Sequence, residues 1–491
     1  MNILLVYPQY PDTYWSFKYA LKFISKKAVN FPLGVLTVAA LLPREWEKRV
    51  IDLNVSPLND KDILWADYVF ISAMQIQLAS VNHIIERCWQ LKTKIVAGGP
   101  LFTEEYEQFP GVDHLVLNEA EITLPLFLED VRNNCAEKIY RSDLFADITK
   151  TPLPAYNLIK HGQYAGATLQ YSRGCPFDCE FCDITALFGR KVRTKTSEQV
   201  IAELEMLFRV GWRGSVFFVD DNFIGHKTKL KNDLLPAMIG WMETHRHPFV
   251  FTTEASINLS DDPELMRMMS KAGFSKVFVG IETPEESCLK ECNKLQNRNR
   301  DLIRSVKRIQ QSGMEVTAGF IVGFDNDPPN IFKRQIDFIQ ESGIVTAMVG
   351  LLNAPRLSKL HLRLQGEGRI VDKITGNNTD YTLNFKSAMD KDILLEGYQE
   401  IIENVYSSKS YYWRVKSFLK HYKQANVEKI QFNKVIALAK SIIYLGIWKK
   451  HRRYYWNLFF WSLFFRTKSF PMAITFSIYG YHFRKVFGVT N

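Results

Sequence analysis

Apolar runs separated by polar and glycine-rich turns recur along the first 370 residues, alternating between strand-like and helix-like lengths. Within 1–150, short apolar runs fall at 2–7 ("NILLVY"), 48–54, 67–74 ("DYVFISAM"), 94–100 ("KIVAGGP") and 113–121. Helix-compatible stretches lie between them, at 32–42 behind a proline and at 77–91 ("QLASVNHIIERCWQL"). Strands alternating with helices in this way predict a doubly wound parallel sheet, whose ligands sit at the carboxyl ends of the strands. The candidates at those ends are Ser72, Gly98, Gly99 and the pair Asn118-Glu119.

Residues 151–165, with Pro152 and Pro154, read as a linker. Strand-like segments then recur six times, at 167–172, 215–221, 249–255, 276–282, 315–324 and 345–352. Helix-like stretches such as 197–210 and 262–273 separate them. Six such units predict an open, partial (β/α)6 barrel over 166–370, with function at the carboxyl ends of its strands. From 371 to 491 the pattern becomes helix-like and rich in aromatic residues. The expected architecture is α/β: a Rossmann-like domain, a partial barrel, and a mainly helical C-terminal domain.

Charge divides the chain further. Of a net +10, the stretch from Tyr412 onward carries fifteen Lys and Arg against one acid, Glu428, leaving the first 411 residues near −4. The basic character therefore belongs to the tail. In "KKHRRYYWNLFFWSLFF" (449–465) a cationic cluster adjoins an aromatic run too short for a bilayer span, which takes ~20 residues. Such a mixture suits a membrane interface, and a peripheral membrane contact through 449–485 is one expectation. Packing of these rings on the barrel is the other. The rings are crowded rather than interleaved with the charges, which disfavours nucleic acid. Seven cysteines, an odd number, and no basic-then-apolar leader at "MNILLVYPQYP" predict reduced thiols and a cytoplasmic protein.

The chemistry concentrates in "RGCPFDCEFCDI" (173–184), directly after the first barrel strand. Cys175, Cys179 and Cys182 are spaced C-x3-C-x2-C with no histidine in the motif. Three thiolates leave a tetrahedral zinc site one ligand short, whereas on a four-iron cluster they leave one iron open to a substrate. Cys288 and Cys292, at i and i+4, share a helix face and read as ordinary packed or exposed thiols, since two ligands are too few for a second metal.

C-x3-C-x2-C with Phe181 before the third cysteine, after the first strand of a βα barrel, resembles the radical S-adenosylmethionine (SAM) superfamily. The resemblance implies a 4Fe-4S cluster on Cys175, Cys179 and Cys182 whose open iron binds SAM. Reductive cleavage then yields a 5′-deoxyadenosyl radical. By the same resemblance "VDDNF" (219–223), "GIET" (280–283) and "GFIVGF" (319–324) lie near SAM, which makes Asp220, Glu282 and Gly323 cofactor-binding candidates. Where relatives often carry a "PGT" triplet, this chain has "APRLSKL" (354–360). A Rossmann-like domain ahead of such a barrel resembles the cobalamin-binding class, with Ser72, Gly98 and Gly99 as its contacts. The D-x-H-x-x-G motif is absent; His83 and His114 are the histidines of the first 150 residues, neither in that context. No histidine ligand to cobalt is therefore expected. Segments 31–43, 118–125, 211–227, 253–259 and 473–485 resemble the hopanoid 2-methylase subgroup. What this implies is methyl transfer to an unactivated carbon of a hopanoid-like or other lipid, fed by a reductant such as flavodoxin or ferredoxin. Two alternatives stand beside it: radical cyclisation, oxidation or rearrangement, and a non-catalytic cobalamin- or redox-sensing protein.

Overall fold

The computed structural model describes residues 1–377, 379–423, 432–449 and 451–489; Glu428 lies outside them. The chain begins with strand β1 (Asn2–Tyr7), followed by the short β2 (Ala28–Asn30), β3 (Glu47–Asp52), β4 (Tyr68–Ser72), β5 (Lys94–Gly98), β6 (His114–Val116) and β7 (Ile139–Tyr140). All but β2 form one parallel sheet in the order β3-β1-β4-β5-β6-β7. Both faces are covered, so the inner strands such as β1 and β4 are largely apolar, while the edge strand β3 ("EKRVID") is mixed. Leu4 and Val6 join Val81, Ile84 and Phe102 on one side, and Ile3 and Leu5 join Val35, Leu124 and Phe127 on the other. Strand order reverses between β1 and β4, which opens a crevice at their carboxyl ends.

The second sheet contains β8 (Tyr164–Leu169), and the short β9 (Ser172–Arg173) and β10 (Arg193–Thr194) pair antiparallel beside it. β11 (Gly214–Phe218), β12 (Phe249–Glu254), β13 (Phe274–Glu282), β14 (Glu315–Val322) and β15 (Ala347–Leu351) complete it. Its order is β2-β8-β11-β12-β13-β14-β15, parallel throughout. Six of its strands coincide with the six expected from sequence. The seventh, β2, comes from within residues 1–150: Ala28 pairs with Tyr164 and Asn30 with Gly166. The N-terminal segment thus contributes to both sheets, and a boundary at 150 does not separate them.

The edge opposite β2 is covered rather than left open to pairing. Helix Lys391–Tyr406 lies over β15, and Tyr398 and Tyr406 donate their hydroxyls to the Val349 and Ala347 carbonyls at 3.1 and 2.5 Å. The segment between β1 and β2 runs nearby: Trp15 donates its indole N–H to Met348 Sδ at 3.0 Å and packs edge-on against Phe278 of β13. Helix Phe470–Val486 closes over this segment. Phe483 stacks on Tyr14 at 4.3 Å, and His482, buried and pushed down to about 4 by that burial, hydrogen-bonds the Tyr14 carbonyl at 2.9 Å. Residues 470–485, the end of the stretch expected at a membrane, are therefore largely committed to the interior. Among the described residues no helix is long and apolar enough to cross a membrane.

Candidate cofactor and active site

The cysteine loop is clamped where it begins. β9 and β10 close a ribbon around residues 174–192, and Gly174 sits at φ +90° where a Cβ would lie 2.8 Å from the Gly189 carbonyl. The Cys175 amide donates to that same carbonyl at 3.2 Å. Asp220, fully buried just past β11, accepts from the Tyr171 amide at 3.1 Å and from both the amide and the hydroxyl of Ser172. Its carboxylate is thus engaged in fixing the loop's entry. Burial pushes Asp220 up to about 7 and Asp221 up to about 6. Further along, Glu180 binds Arg363 at 2.6 Å and Asp178 binds Lys359 at 2.5 Å. The loop is held by charges on the helix that follows β15.

Within this frame Cys179 is buried, while Cys175 and Cys182 are half-buried. Burial raises all three thiols, and Cys175 and Cys182 also feel the Cys179 thiol. Gln296 Nε2 lies 3.7 Å from Cys179 Sγ. Among the described residues no three His, Cys, Asp or Glu side chains converge on one point suited to a single metal ion. A cluster's ligands attach to separate irons, so three thiols on one loop need not meet at a single point to hold one.

Beside the cysteines, Glu282 ends β13 in a left-handed conformation, φ +65°. Its Oε1 pairs with Lys294 Nζ at 2.6 Å, both side chains largely buried. Burial alone would lower the Lys294 ammonium, but Glu282 and the thiols of Cys179 and Cys182 raise it overall. The pair lies over Gly280, where a Cβ would come within 2.2 Å of Glu282 Oε1. Glu254, at the end of β12, is pushed up to about 8 by burial and by Asp221 and Asp220. Gly323 is differently employed: its amide donates to Asp327 Oδ2 at 2.7 Å, and the space a Cβ would fill is bounded by Leu394 at 3.3 Å. Asp327 also accepts from the Cys288 thiol at 3.2 Å. Cys288 and Cys292 are both buried, as packed thiols.

At the carboxyl edge of the first sheet, Ser72 pairs with Gly98. Gly99 takes φ +91°, with Ser72 Oγ 3.0 Å from its Cβ position. The result is a half-exposed backbone cradle that any side chain would fill. His114 opens β6 and so lies at the opposite edge, its Nδ1 bonded to the Glu137 carbonyl; His83 is exposed on helix Leu78–Gln90. The cradle faces the cysteine loop. Glu104, on the helix that follows Gly99, hydrogen-bonds Asp183 next to Cys182, and burial with that second carboxylate pushes Glu104 up to about 8. Arg356 of "APRLSKL" reaches Glu105 and Glu107 at 2.9 Å. Glu119 is drawn into the joint as well: Arg193 binds it at 2.8 Å, and Arg173 binds Glu121 at 2.6 Å.

Comparison with known proteins matches this layout. Residues 24–128 match the B12-binding domain, 169–339 the radical SAM superfamily, and 358–490 a domain of unknown function, DUF4070. An uncharacterised methyltransferase of Synechocystis sp. is 38% identical over 98% of this chain and 91% of its own length. The chain belongs to the cobalamin-dependent radical SAM methyltransferases. The hopanoid C-2 methylase of Rhodopseudomonas palustris is 36% identical over 81% of this chain and 77% of its own. Two solved structures share the fold. OxsB, with aqua-cobalamin and SAM bound, gives a TM-score of 0.62 at 16% identity, covering 96% of this chain and 75% of its own. TsrM of Kitasatospora setae, with cobalamin and a 4Fe-4S cluster bound, gives 0.59 at 15% identity, covering 76% and 79%. As a member of this family the methyltransferase uses a 4Fe-4S cluster, SAM and cobalamin, takes a small-molecule substrate, and needs an external reductant.

Lys294, Glu254, Arg173 and Arg193 were not singled out from sequence. Their partners lie 12 to 74 positions away or across a sheet, and no local spacing encodes that. Arg173, two residues ahead of Cys175, was the most legible of the four.

Proposed function

We propose that this methyltransferase methylates an unactivated carbon of a lipid, hopanoid-like or of comparable apolar skeleton. The observation that carries the proposal is the 36% identity to a hopanoid C-2 methylase across 81% of the chain. The barrel interior supports it, since Trp15, Phe278 and Met348 meet there as an apolar wall. When bound, the cluster with SAM supplies one-electron hydrogen abstraction, and cobalamin supplies a transferable methyl group.

The chain's own residues prepare that chemistry. Cys175, Cys179 and Cys182 hold the cluster, and the fixed ribbon of β9 and β10 keeps them in place. Glu282 and Lys294 set one negative and one positive group near Cys179 for the polar end of SAM. Ser72, Gly98 and Gly99 take cobalamin on a backbone cradle with no histidine beside it. Asp220 and Gly323 act by positioning: Asp220 anchors the loop's entry, and the Gly323 turn is pinned by Asp327. The electron donor is a flavodoxin or ferredoxin, and the basic, aromatic tail gives a peripheral contact with a membrane.

Incubating the reconstituted holoenzyme with methyl-labelled SAM, a reductant and extracted bacterial lipid tests the reading. Label in a lipid product heavier by one CH2 is expected. 5′-Deoxyadenosine formation with no label in any lipid fraction would overturn it.

A further inference from the structure

The C-terminal helices expose one face that the barrel does not cover. Helix Ser408–His421 packs beside helix Arg452–Phe465, and an open groove of about 460 Å³ runs between them, flanked by Lys416 and Arg453. Trp456, Phe460 and Phe464, spaced i, i+4, i+8, stack on one another along its wall, with centroids 5.5 and 6.4 Å apart. Phe464 and Phe465 are 71% and 75% exposed at one end of the helix, and Trp448 is 67% exposed beyond the other. Large rings this open are unusual on a surface that meets only water.

The cations among them are not neutralised by their hydrogen bonds. Lys416 donates to the Asn457 side-chain oxygen, Arg452 to the Ile447 carbonyl, Arg453 to the Tyr454 hydroxyl and Arg466 to the Lys420 carbonyl. Glu428 is the single acid from Tyr412 onward. Aromatic rings that sit at headgroup depth, beside cations that pair with no carboxylate among the described residues, are complementary to an anionic lipid surface. Nucleic-acid grooves interleave rings with charges along the strand, whereas here Trp456, Phe460 and Phe464 are crowded onto one another.

We propose that this face, and not residues 470–485, seats on an anionic lipid bilayer. Phe464, Phe465 and Trp448 enter the headgroup–acyl boundary, and Lys416 and Arg453 meet headgroup phosphates at the groove. This deepens the membrane contact of the proposed function and rests on it, naming both the residues and the lipid charge. Each cation near such a surface is worth about fivefold in binding, so the contact is steeply salt-dependent.

The test is co-sedimentation of full-length holoenzyme with phosphatidylcholine vesicles, with or without about 30% phosphatidylglycerol, none carrying a methylation substrate. Binding to the anionic vesicles alone is expected, with release at roughly 0.5 M salt. F464E/F465E and K416E/R453E should each lower binding at least about tenfold. Both should still form 5′-deoxyadenosine from SAM without vesicles, as evidence of folding. Equal binding to neutral vesicles, or binding untouched by both double variants, overturns the proposal. So does retention of a DNA fragment that F464E/F465E abolishes in parallel. The two readings fail separately: vesicle binding without lipid labelling sinks the lipid substrate, and labelling of detergent-dispersed lipid without vesicle binding sinks the docking face.

Discussion

Cys175, Cys179 and Cys182 keep their protons at neutral pH while no metal is bound, because burial raises each thiol. Cluster assembly must therefore release protons. Iron and sulfide uptake by the apo-protein should fall as pH is lowered from about 8 to about 6. Replacing any one of the three by Ala should abolish SAM cleavage while cobalamin binding persists. Glu254 titrates in the opposite sense to a salt-bridged carboxylate. Its folded-state value is raised to about 8 over an unfolded value of about 4.3. Between those values the folded chain holds more protons than the unfolded one, so stability falls as pH rises through the window. The melting temperature of the apo-protein should decline from about pH 5 to pH 8, and Glu254→Gln should flatten that slope. A steeper decline in the variant would contradict the assignment.

At the level of strands and helices, the turns at strand ends carry most of the risk. Gly99→Val forces a side chain into φ +91° against Ser72 Oγ at 3.0 Å, strain of about 1–3 kcal/mol. Cobalamin retention after gel filtration should drop with iron content unchanged. Lys294→Met leaves Glu282 buried without its partner, at about 3–5 kcal/mol by analogy with other broken buried pairs, and chemical denaturation would register it. The elements themselves were legible because two covered faces demand continuous apolar strands. The helix expected at 197–210 is Ser197–Arg209, and that at 262–273 is Pro263–Ala272, ended by Gly273. Three-residue β2, "AVN", was not legible: it has too few residues for a period and owes its existence to an unpaired edge of β8. For the segment 473–485 the choice between the two expectations for the tail, membrane contact or packing, was not legible for a related reason. Its rings look amphipathic in isolation, and their partner Tyr14 lies some 470 positions earlier.

For the whole molecule, the joint between cradle and cysteine loop is what the ion pairs define. Glu119 is almost fully enclosed where Arg193 binds it, whereas Arg356 is 39% exposed where it meets Glu105 and Glu107. Glu119→Ala should therefore cost about 3 kcal/mol or more by leaving the largely buried Arg193 guanidinium without its carboxylate. It should also slow methyl transfer in protein that still holds full cluster and cobalamin. Arg356→Ala should change stability by less than about 1 kcal/mol. A finding that both variants behave alike would mean the joint does not depend on its buried pairs.

The early crossing of β2 into the second sheet has a consequence for how this protein can be recombined. A chimera spliced at residue 151 would transplant, along with a foreign cobalamin cradle, the barrel's own edge strand and the aromatic segment that reaches Met348 and Phe278. Residues 14–30 are inherited with one cofactor and packed around the other's chamber. Exchange between relatives should succeed when residues 14–30 match the barrel they line while β1 stays with its own sheet, and fail when the whole segment is exchanged with that sheet.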